Sequence, residues 1–355
     1  MTGDDDRDDA YAQGSRAVVS ADLILGQPPS RTLLSPELDR GDRDRVDHFL
    51  SRASADATLR AYRSDWRLFT TWCDARGYPA LPASPIVTAA FLSELASDGS
   101  AYSKGRPLSK SSIGRRLAAI VFAHRAAELE PPTTQAGAAA LDRVMRGIRN
   151  AKRSDRPAKK RPADSDVLRD MVRHITGSTL IDYRDRALLS IGMMGAFRRS
   201  ELVAIEVGDV AEDPRGLLVT IPFSKGDQEG RGQTVAVLDG RRMEPVRHYR
   251  AWLDAAGITE GPVFRRLTPH GRLTTKPLGP QTVALVVKAR AAAAGYDPTL
   301  FSGHSLRAGF LTEAGRHGAN LFKMKEHSRH KSLEMLSEYV RDQEAFRNHA
   351  GEGFA

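Results

Sequence analysis

A basic, proline-containing segment divides this chain into two regions that can each bury a core. Residues 152–162 read KRSDRPAKKRP, a run with no apolar period and with residues that favour turns. Apolar residues recur at regular spacing on both sides of it, so we expect it to link two domains within the 355 residues. Such a charge run is usually a solvated surface segment. Because it joins two basic regions, it is equally able to lie along a phosphate backbone.

The region before this linker, residues 42–151, is predicted to be a compact bundle of four or five helices. Leu59, Tyr62, Trp66, Phe69 and Cys73 fall at steps of three and four, which places them on one face of a helix. Residues 1–41 are polar, begin with an acidic run and show no sustained apolar period, so we expect a mostly disordered arm there.

A second helix is predicted to begin at Ser84, where serine can cap the helix and Pro85 suits the first helical position. The residues expected to face the core from this helix are Ile86, Ala90, Phe91 and Leu95. Ser109 or Ser111 is expected to cap the next helix, which places His124 inside the bundle.

The region after the linker, residues 163–341, combines long helices with a pair of strands. Residues 217–223 and 234–238 are rich in aliphatic and β-branched side chains, and a glycine-rich loop joins them. Helical stretches are expected to fill most of the remainder. The fold class is therefore predicted to be mainly α with a small β-sheet. Residues 342–355 are predicted to form a C-terminal tail.

The charge of the chain points to a polyanionic partner. It has 53 lysines and arginines against 44 aspartates and glutamates, a formal net charge of +9 and a pI of about 9.8. Such a balance favours nucleic acid first and an anionic membrane surface second. The single Cys73 excludes an internal disulfide, no apolar run is long enough to span a bilayer, and the acidic N-terminus is unlike a secretory signal. We therefore predict a cytoplasmic protein.

Six side chains in the second region supply most of the groups needed to attack a phosphodiester without a metal or another cofactor. They are Arg198, Lys225, His304, Arg307, His330 and Tyr339. A tyrosine hydroxyl can act as the nucleophile, and two arginines from distant segments can each donate paired hydrogen bonds to one phosphate. Other basic residues compete for two of these positions: Arg199 for the first arginine, and Lys276 or Lys331 for the lysine.

The segments that carry these residues resemble the tyrosine recombinase, or phage integrase, family. Arg198-Arg199-Ser200-Glu201-Leu202 is similar to the family's first arginine box, in which Arg198 takes the catalytic position and Glu201 that of an acid positioning the site. Lys225 falls in the loop between the two predicted strands, where the family has its lysine general acid.

The C-terminal part of the set matches the family in order and spacing. His304 and Arg307 fit the His-x-x-Arg box, His330 fits the later position that is histidine or tryptophan, and Tyr339 fits the nucleophile. One departure is Arg329, because many members have glycine immediately before that histidine. The departure could alter the local turn, but it removes no catalytic group.

The resemblance covers about residues 45–345 and implies a domain organisation. Residues 42–151 would form a helical core-binding (SAM-like) DNA-clamp domain similar to that of the Cre-type branch, and residues 163–341 an α+β catalytic domain. Basic and amide side chains on these helices are candidates for contact with DNA, and solvated surface is the alternative for each. They are Arg60, Arg63, Lys110, Arg115, Arg116, Lys159, Lys160, Gln281, Lys288 and Arg290.

By resemblance, the function is site-specific recombination of double-stranded DNA. Tyr339 would attack a DNA phosphate and leave a 3′-phosphotyrosine and a free 5′-hydroxyl, so that neither ATP nor water is needed. The arginines and histidines of the set would stabilise the transition state, and the lysine would protonate the leaving oxygen. Strand exchange would pass through a Holliday junction in a homotetramer that holds two duplexes, with the tail packed on a neighbouring protomer.

Three other functions use parts of the same pattern. An integrase or a transposon-resolution recombinase would need accessory proteins, and a type IB topoisomerase would relax supercoils without a defined site. A non-catalytic, sequence-specific DNA-binding regulator would have no need of Tyr339.

Overall fold

The chain folds into two compact units, residues 1–157 and 158–355. The computed structural model describes residues 56–97, 100–103, 105–154, 160–221, 232–337 and 339. The boundary between the units lies in the segment predicted to be the linker. The predicted arm at residues 1–41 and the predicted tail at residues 342–355 lie outside the described residues.

The described part of the first unit is helical. Its helices are α1 (Asp56–Asp74), α2 (Pro85–Ala96), α3 (Lys110–Ala126) and α4 (Ala138–Ala151). Helix α1 packs against α3, and α2 packs against α4. Trp66, Phe69, Trp72 and Phe91 meet in the core, with ring centroids 5.1 to 6.4 Å apart. The apolar stripe predicted on α1 therefore supplies the aromatic centre of this unit.

Helix α2 buries a different face from the predicted one. Ser84 caps it as expected, since the Ser84 hydroxyl accepts a hydrogen bond from the Val87 N–H, and Phe91 is buried. Ile86, however, is 63% exposed, and Ala90 is also exposed. The sequence PIVTAAFLSELA is apolar on almost every side, so its spacing does not define one face. Packing against α4 selects the face instead.

His124 ties α3 to the loop before α2. Its ring is fully buried; Nε2 accepts a hydrogen bond from the Ala83 N–H at 2.9 Å, and Nδ1 donates one to the Ile120 carbonyl at 2.8 Å. Because one nitrogen accepts and the other donates, the ring is neutral. Ser109, rather than Ser111, caps α3.

The second unit is built around a long, buried helix. Its helices are α5 (Ser165–Arg173), α6 (Leu180–Met194), α7 (Arg199–Ala204), α8 (Pro245–Ala256), α9 (Pro280–Ala293), α10 (Ser305–Arg316) and α11 (Leu321–Ser328). Helix α6 packs against α8 on one side and α10 on another. None of the described helices is both long and apolar enough to cross a membrane.

Two small antiparallel sheets complete the second unit. The strands β1 (Val210–Asp213), β2 (Gly216–Ile221) and β3 (Gln233–Leu238) pair in that order, and β4 (Arg265–Leu267) pairs with β5 (Leu273–Pro277). Strand β2 overlaps the strand predicted over residues 217–223, and it buries Leu217, Val219 and Ile221. The sequence did not indicate β1, β4 or β5, because these strands are short and largely polar. The predicted class, mainly α with a small sheet, is confirmed.

His124 makes the stability of the first unit depend on pH. Burial lowers the pKa of His124, so the unfolded chain takes up a proton more readily than the folded one does. Acidification below the ordinary histidine pKa of about 6.5 should therefore reduce the free energy of unfolding, by up to about 1.4 kcal/mol per pH unit. Urea titrations of a Trp252→Phe variant, in which Trp66 and Trp72 report on this unit, would measure the slope.

Two substitutions separate His124 from other titrating groups. His124→Leu should flatten the slope and, because it leaves the Ala83 N–H without its acceptor, cost about 1–3 kcal/mol at neutral pH. His317→Gln, on the exposed end of α10, should leave the slope unchanged. An unaltered slope in His124→Leu would show that another group carries it.

Candidate active site

Arg198 is held at the start of α7 by a buried carboxylate. Glu201, three residues on, accepts the Arg198 backbone N–H at 2.8 Å with Oε2 and the Arg198 Nη1 group with Oε1. The Glu201 side chain is 3% exposed, whereas that of Arg198 is 28% exposed. The same carboxylate therefore caps the helix and orients the guanidinium, whose outer edge stays accessible.

The turn between α6 and α7 directs its carbonyl groups toward buried arginines. Ala196 has a left-handed φ of 45°, and a Cβ on Gly195 would lie 2.0 Å from the Phe197 ring, so only glycine fits there. The Ala196 carbonyl accepts hydrogen bonds from Arg307 Nη1 at 2.7 Å and from Arg329 Nη2 at 3.0 Å. One backbone oxygen thus anchors two guanidinium groups.

Helix α10 presents the His-x-x-Arg pair from its first turn. His304 is the N-cap residue and Arg307 follows three residues later, so both lie on the same side of the helix. Arg307 is 2% exposed. Burial lowers its pKa, and the neighbouring Arg198 and Arg329 lower it further. Arginine stays charged at neutral pH from so high a starting pKa, so the site holds a buried cation that Glu201 compensates only in part.

His330 completes the cluster directly after α11. Arg307 Nη2 lies 3.1 Å from His330 Nδ1. A guanidinium can only donate, and the Ser328 hydroxyl, which donates to the Met324 carbonyl, lies 2.7 Å from the same nitrogen, so Nδ1 meets two polar groups. Burial, followed by Arg307 and Arg198, lowers the pKa of His330 to about 4. At neutral pH the ring is therefore an uncharged N–H donor.

His304 is also uncharged at neutral pH. Although the residue as a whole is exposed, its ring is partly buried, and this burial lowers the pKa of His304. The positive charges of Arg307, Arg199 and Arg198 lower the pKa further. Neutral histidines are expected where several arginines already meet. The structure therefore brings Arg198, Glu201, His304, Arg307 and His330 together, as the sequence predicted.

Tyr339 lies near this cluster. It is half-buried against the small apolar group formed by Leu311, Met324 and Leu336, and its electrostatic influence reaches Arg307. Lys225, predicted in the loop between β2 and β3, lies outside the described residues.

Arg329 is the site residue whose contribution the sequence did not indicate. Its side chain is 2% exposed and its Nη2 lies 2.9 Å from Glu201 Oε2, so Glu201 contacts two arginines at once. The sequence signal was its position, since an arginine stands where the resemblance leads one to expect glycine. The reason for that arginine lies in α7, 128 residues away in the chain.

The predicted DNA contacts in the first unit differ in how freely they can reach a ligand. Arg60 and Lys110 are exposed, and Arg63 is half-buried. Arg115 and Arg116 both pair with the buried carboxylate of Asp65, at 2.7 Å each. The Arg116 side chain is only 14% exposed. Its guanidinium therefore holds α3 to α1, whereas the more open Arg115 can still face a phosphate.

The predicted contacts in the second unit also divide into two kinds. Gln281 and Lys288 lie on the exposed face of α9. Arg290, on the same helix, pairs with Asp185 at 2.8 Å and Asp182 at 3.1 Å in α6. Lys160 donates to the Thr299 carbonyl at 2.7 Å, and Lys159 lies outside the described residues. Arg290 is thus engaged in joining two helices, and DNA contact by it stays a prediction.

The chain belongs to the phage integrase family, whose family description matches residues 163–345. It is 35% identical over 303 residues to an integrase/recombinase xerD homolog of Selenomonas ruminantium, a match that covers 85% of this chain and 86% of the relative. It is 26% identical over 294 residues to the tyrosine recombinase XerD of Corynebacterium glutamicum, covering 82% of this chain and 89% of the relative.

Solved structures of related fold agree with this assignment. The XerH site-specific recombinase, in a post-cleavage complex with a palindromic difH substrate, matches with a TM-score of 0.61 at 14% identity, over 94% of each chain. A lambda integrase dimer bound to a COC′ core site matches with a TM-score of 0.54 at 17% identity, over 86% of this chain and 96% of that one. At these identities the likeness concerns the fold.

Family membership and the sequence relatives define the activity. The chain is a tyrosine recombinase, an enzyme of site-specific DNA recombination that breaks and rejoins strands. The predicted family and function are confirmed. The regulator alternative is not favoured.

Arg290 and Lys288 offer a matched test of structural and DNA-contacting roles on one helix. Arg290→Met should destabilise the second unit by about 3 kcal/mol, because it leaves the buried Asp185 and the half-buried Asp182 with less compensation. Hydrogen–deuterium exchange of peptides from α6 and α9 would report the loss.

Lys288→Met should leave exchange in those peptides unchanged. If α9 faces DNA, this variant should instead lower DNA affinity and reduce the salt dependence of binding by about one unit of slope. Equal exchange in both variants would show that the pairs of Arg290 do not stabilise the unit.

Proposed function

We propose that Tyr339 is the nucleophile of this recombinase and that Arg198, Arg307, His304 and His330 surround the scissile phosphate. The tyrosine oxygen forms a bond to phosphorus as the bond to the 5′ oxygen breaks, which gives a 3′-phosphotyrosine. The 5′-hydroxyl of the partner strand later attacks that link and releases the tyrosine. The energy of the phosphodiester is conserved through both steps, so no cofactor is required.

The observation that carries this proposal is the charge of the cluster. Arg198, Arg307 and Arg329 share a single carboxylate, Glu201, among their described contacts, which leaves two positive charges uncompensated. Of its five N–H groups, Arg198 uses one toward Glu201 and one toward the Arg329 carbonyl, and Arg307 uses one toward the Ala196 carbonyl and one toward His330. The remaining donors suit the non-bridging oxygens of a pentavalent phosphate, on which negative charge increases in the transition state.

The histidines and the lysine handle protons in this proposal. The neutral ring of His330 donates its N–H to a phosphate oxygen. The neutral ring of His304 can accept the proton that Tyr339 loses, which its lowered pKa supports. Lys225 protonates the leaving 5′ oxygen. Glu201 does not react but holds Arg198.

The first unit supplies the DNA clamp in this proposal. Exposed Arg60 and Lys110, half-buried Arg63 and the open Arg115 contact the backbone or the groove, and Lys159, Lys160, Gln281 and Lys288 contribute from the linker and α9. We keep as a prediction that the protein is a simple recombinase of the Cre-type branch, acting at short inverted repeats. The named relatives are Xer-type proteins. A recombinase that needs accessory proteins is the alternative for this chain. An enzyme of DNA recombination would act in the cytoplasm.

Tyr339→Phe should bind its site normally and lose all covalent capture of DNA, because phenylalanine has no oxygen to attack phosphorus. The measurement uses a library of nicked suicide duplexes, mixed with the protein in EDTA, denatured, and resolved as protein–DNA bands by gel and sequencing.

Tyr296→Phe provides the matched control. Its hydroxyl donates to Asp170 at 2.7 Å, away from the cluster, so this variant should still capture DNA. Capture by Tyr339→Phe would mean that another residue is the nucleophile. No capture by the unaltered protein, with binding intact, would point to a missing accessory protein.

We further propose that the enzyme works as a homotetramer in which the tail, residues 342–355, packs on a neighbouring protomer. A groove of about 460 Å³ in the second unit supports this, since it lies between the edge of β3 and helices α10 and α11. Its apolar lining includes Val235, Phe310, Ala314 and Met324. The tail contains Phe346 and Phe354, which could fill such a groove.

A large side chain in the groove, or deletion of the tail, should block assembly of the tetramer but leave binding to the DNA site intact. Ala314→Arg and a chain ending at residue 341 should each bind DNA without forming tetramers in analytical ultracentrifugation on DNA. A mixture of the two should form pairs only, because one protein offers the groove and the other the tail. Tetramers of the shortened chain would contradict the proposal.

A further inference from the structure

Arg329 adopts a conformation and a location that both disfavour arginine. It follows the last residue of α11 with φ 57° and ψ 42°, in the left-handed region where glycine is at ease and other residues cost about 1 kcal/mol or more. Its side chain is 2% exposed, and a buried charge is costly unless it is paired and hydrogen-bonded. The contacts of the side chain must offset both costs.

Those contacts converge on the turn that precedes Arg198. Arg329 Nη1 donates to the His327 carbonyl at 2.6 Å, and Nη2 donates to the Ala196 carbonyl at 3.0 Å and to Glu201 Oε2 at 2.9 Å. The guanidinium carbon also lies 5.2 Å from the centre of the Phe197 ring, within range of a cation–π interaction. One side chain therefore joins the end of α11, the α6–α7 turn and α7.

Two separate routes connect Arg329 to Arg198. The Arg329 carbonyl accepts a hydrogen bond from Arg198 Nη2 at 2.6 Å. Its guanidinium holds the Glu201 carboxylate, which in turn binds Nη1 and the backbone N–H of Arg198. Both terminal nitrogens of Arg198 thus rest on groups that Arg329 supplies or fixes.

We infer that Arg329 is a positioning residue for recombination, which sets the Arg198 guanidinium in place through Glu201 and through its own backbone carbonyl. The inference rests on the proposed role of Arg198 at the scissile phosphate. The terminal nitrogens of Arg329 are engaged by backbone carbonyls and by Glu201, so its guanidinium acts on Arg198 rather than on the phosphate. It takes the place of a glycine because the side chain adds a support for Arg198 that a glycine lacks.

The charge state of Glu201 supports this role. Burial raises the pKa of Glu201, but Arg329 and Arg198 outweigh burial and hold it below the usual value. Arg307 is the third cation that faces this carboxylate, from α10. Without the Arg329 guanidinium, burial gains influence and the pKa of Glu201 rises. A protonated Glu201 would no longer give Arg198 a charge-assisted hydrogen bond.

Three variants test the inference by the rate of covalent capture on a nicked site duplex at saturating DNA. Arg329→Gly keeps the backbone conformation and removes the guanidinium. It should slow capture by about 100-fold, the size expected when a reacting group is displaced by about 1 Å, while DNA affinity stays nearly unchanged. Arg329→Lys retains the charge without the planar fork and should lose less.

The pH profile and a double variant separate positioning from a general loss of structure. Capture by Arg329→Gly should rise with pH as Glu201 ionises, whereas the unaltered protein should not show this added dependence. Arg329→Gly combined with Glu201→Gln should be no slower than Glu201→Gln alone, because both changes break the same route. Glu128→Gly, which relieves a left-handed residue in the first unit, should capture DNA normally.

The outcomes distinguish this inference from the proposed function. Normal capture by Arg329→Gly at every pH, with Arg198→Ala inactive, would overturn the inference alone. Normal capture by Arg198→Ala would overturn the proposed role of Arg198 itself. If Arg329→Gly does not fold, Arg329→Lys decides: an unchanged pH profile with a rate reduced only in proportion to lost folded protein would make Arg329 merely structural.

Discussion

The buried carboxylate of Glu201 is the contact on which the site depends. A lone carboxylate at this depth would be protonated or would destabilise the fold. Here Arg198 and Arg329 both pair with it, and one of its oxygens also caps α7. The same carboxylate therefore fixes the start of α7, the orientation of Arg198 and the end of α11. Loss of any member leaves another charged group with less compensation.

Backbone carbonyls also orient the arginines, by accepting hydrogen bonds from their guanidinium groups. The Ala196 carbonyl accepts from Arg307 and Arg329, and the Arg329 carbonyl accepts from Arg198. A carbonyl dipole orients a guanidinium but, unlike a carboxylate, does not cancel its charge. The left-handed residues Ala196 and Arg329 turn these carbonyls inward, so their strain is tied to the geometry of the site. Cations can in this way be held rigidly and still attract an anion.

The sequence predicted well those features that depend on local pattern. Apolar spacing located α1, and the serine before proline located the start of α2. It failed where spacing is ambiguous, since α2 is apolar all round and exposes Ile86. It also missed β4 and β5, which are short and pair with each other rather than cover a core. The resemblance named the residues of the cluster, and the fold then brought their distant segments together.

Partners far along the chain could not be predicted. The roles of Arg116 and Arg290 depend on carboxylates 51 and 105 residues away, which only the tertiary structure brings near. The sequence alone does not distinguish a basic side chain that pairs with a carboxylate in the folded protein from one that faces solvent. The same limit applied to Arg329, whose departure from glycine was visible while its target, Glu201, was not.

Charge balance separates the arginines that build this protein from those proposed to serve its reaction. Arg184 and Arg290 pair with two aspartates, Asp182 and Asp185. The charges of this cluster therefore cancel, and it has no excess charge for a ligand to neutralise. The cluster at Glu201 has three arginines for one carboxylate, and two of them are almost fully buried. Holding that excess charge out of water is unfavourable until an anion arrives, and a ligand that relieves it stabilises the folded state. In the proposed function, a DNA phosphate does so most strongly as negative charge builds on its oxygens, so the same imbalance that costs stability in the free protein would favour the transition state over the bound substrate.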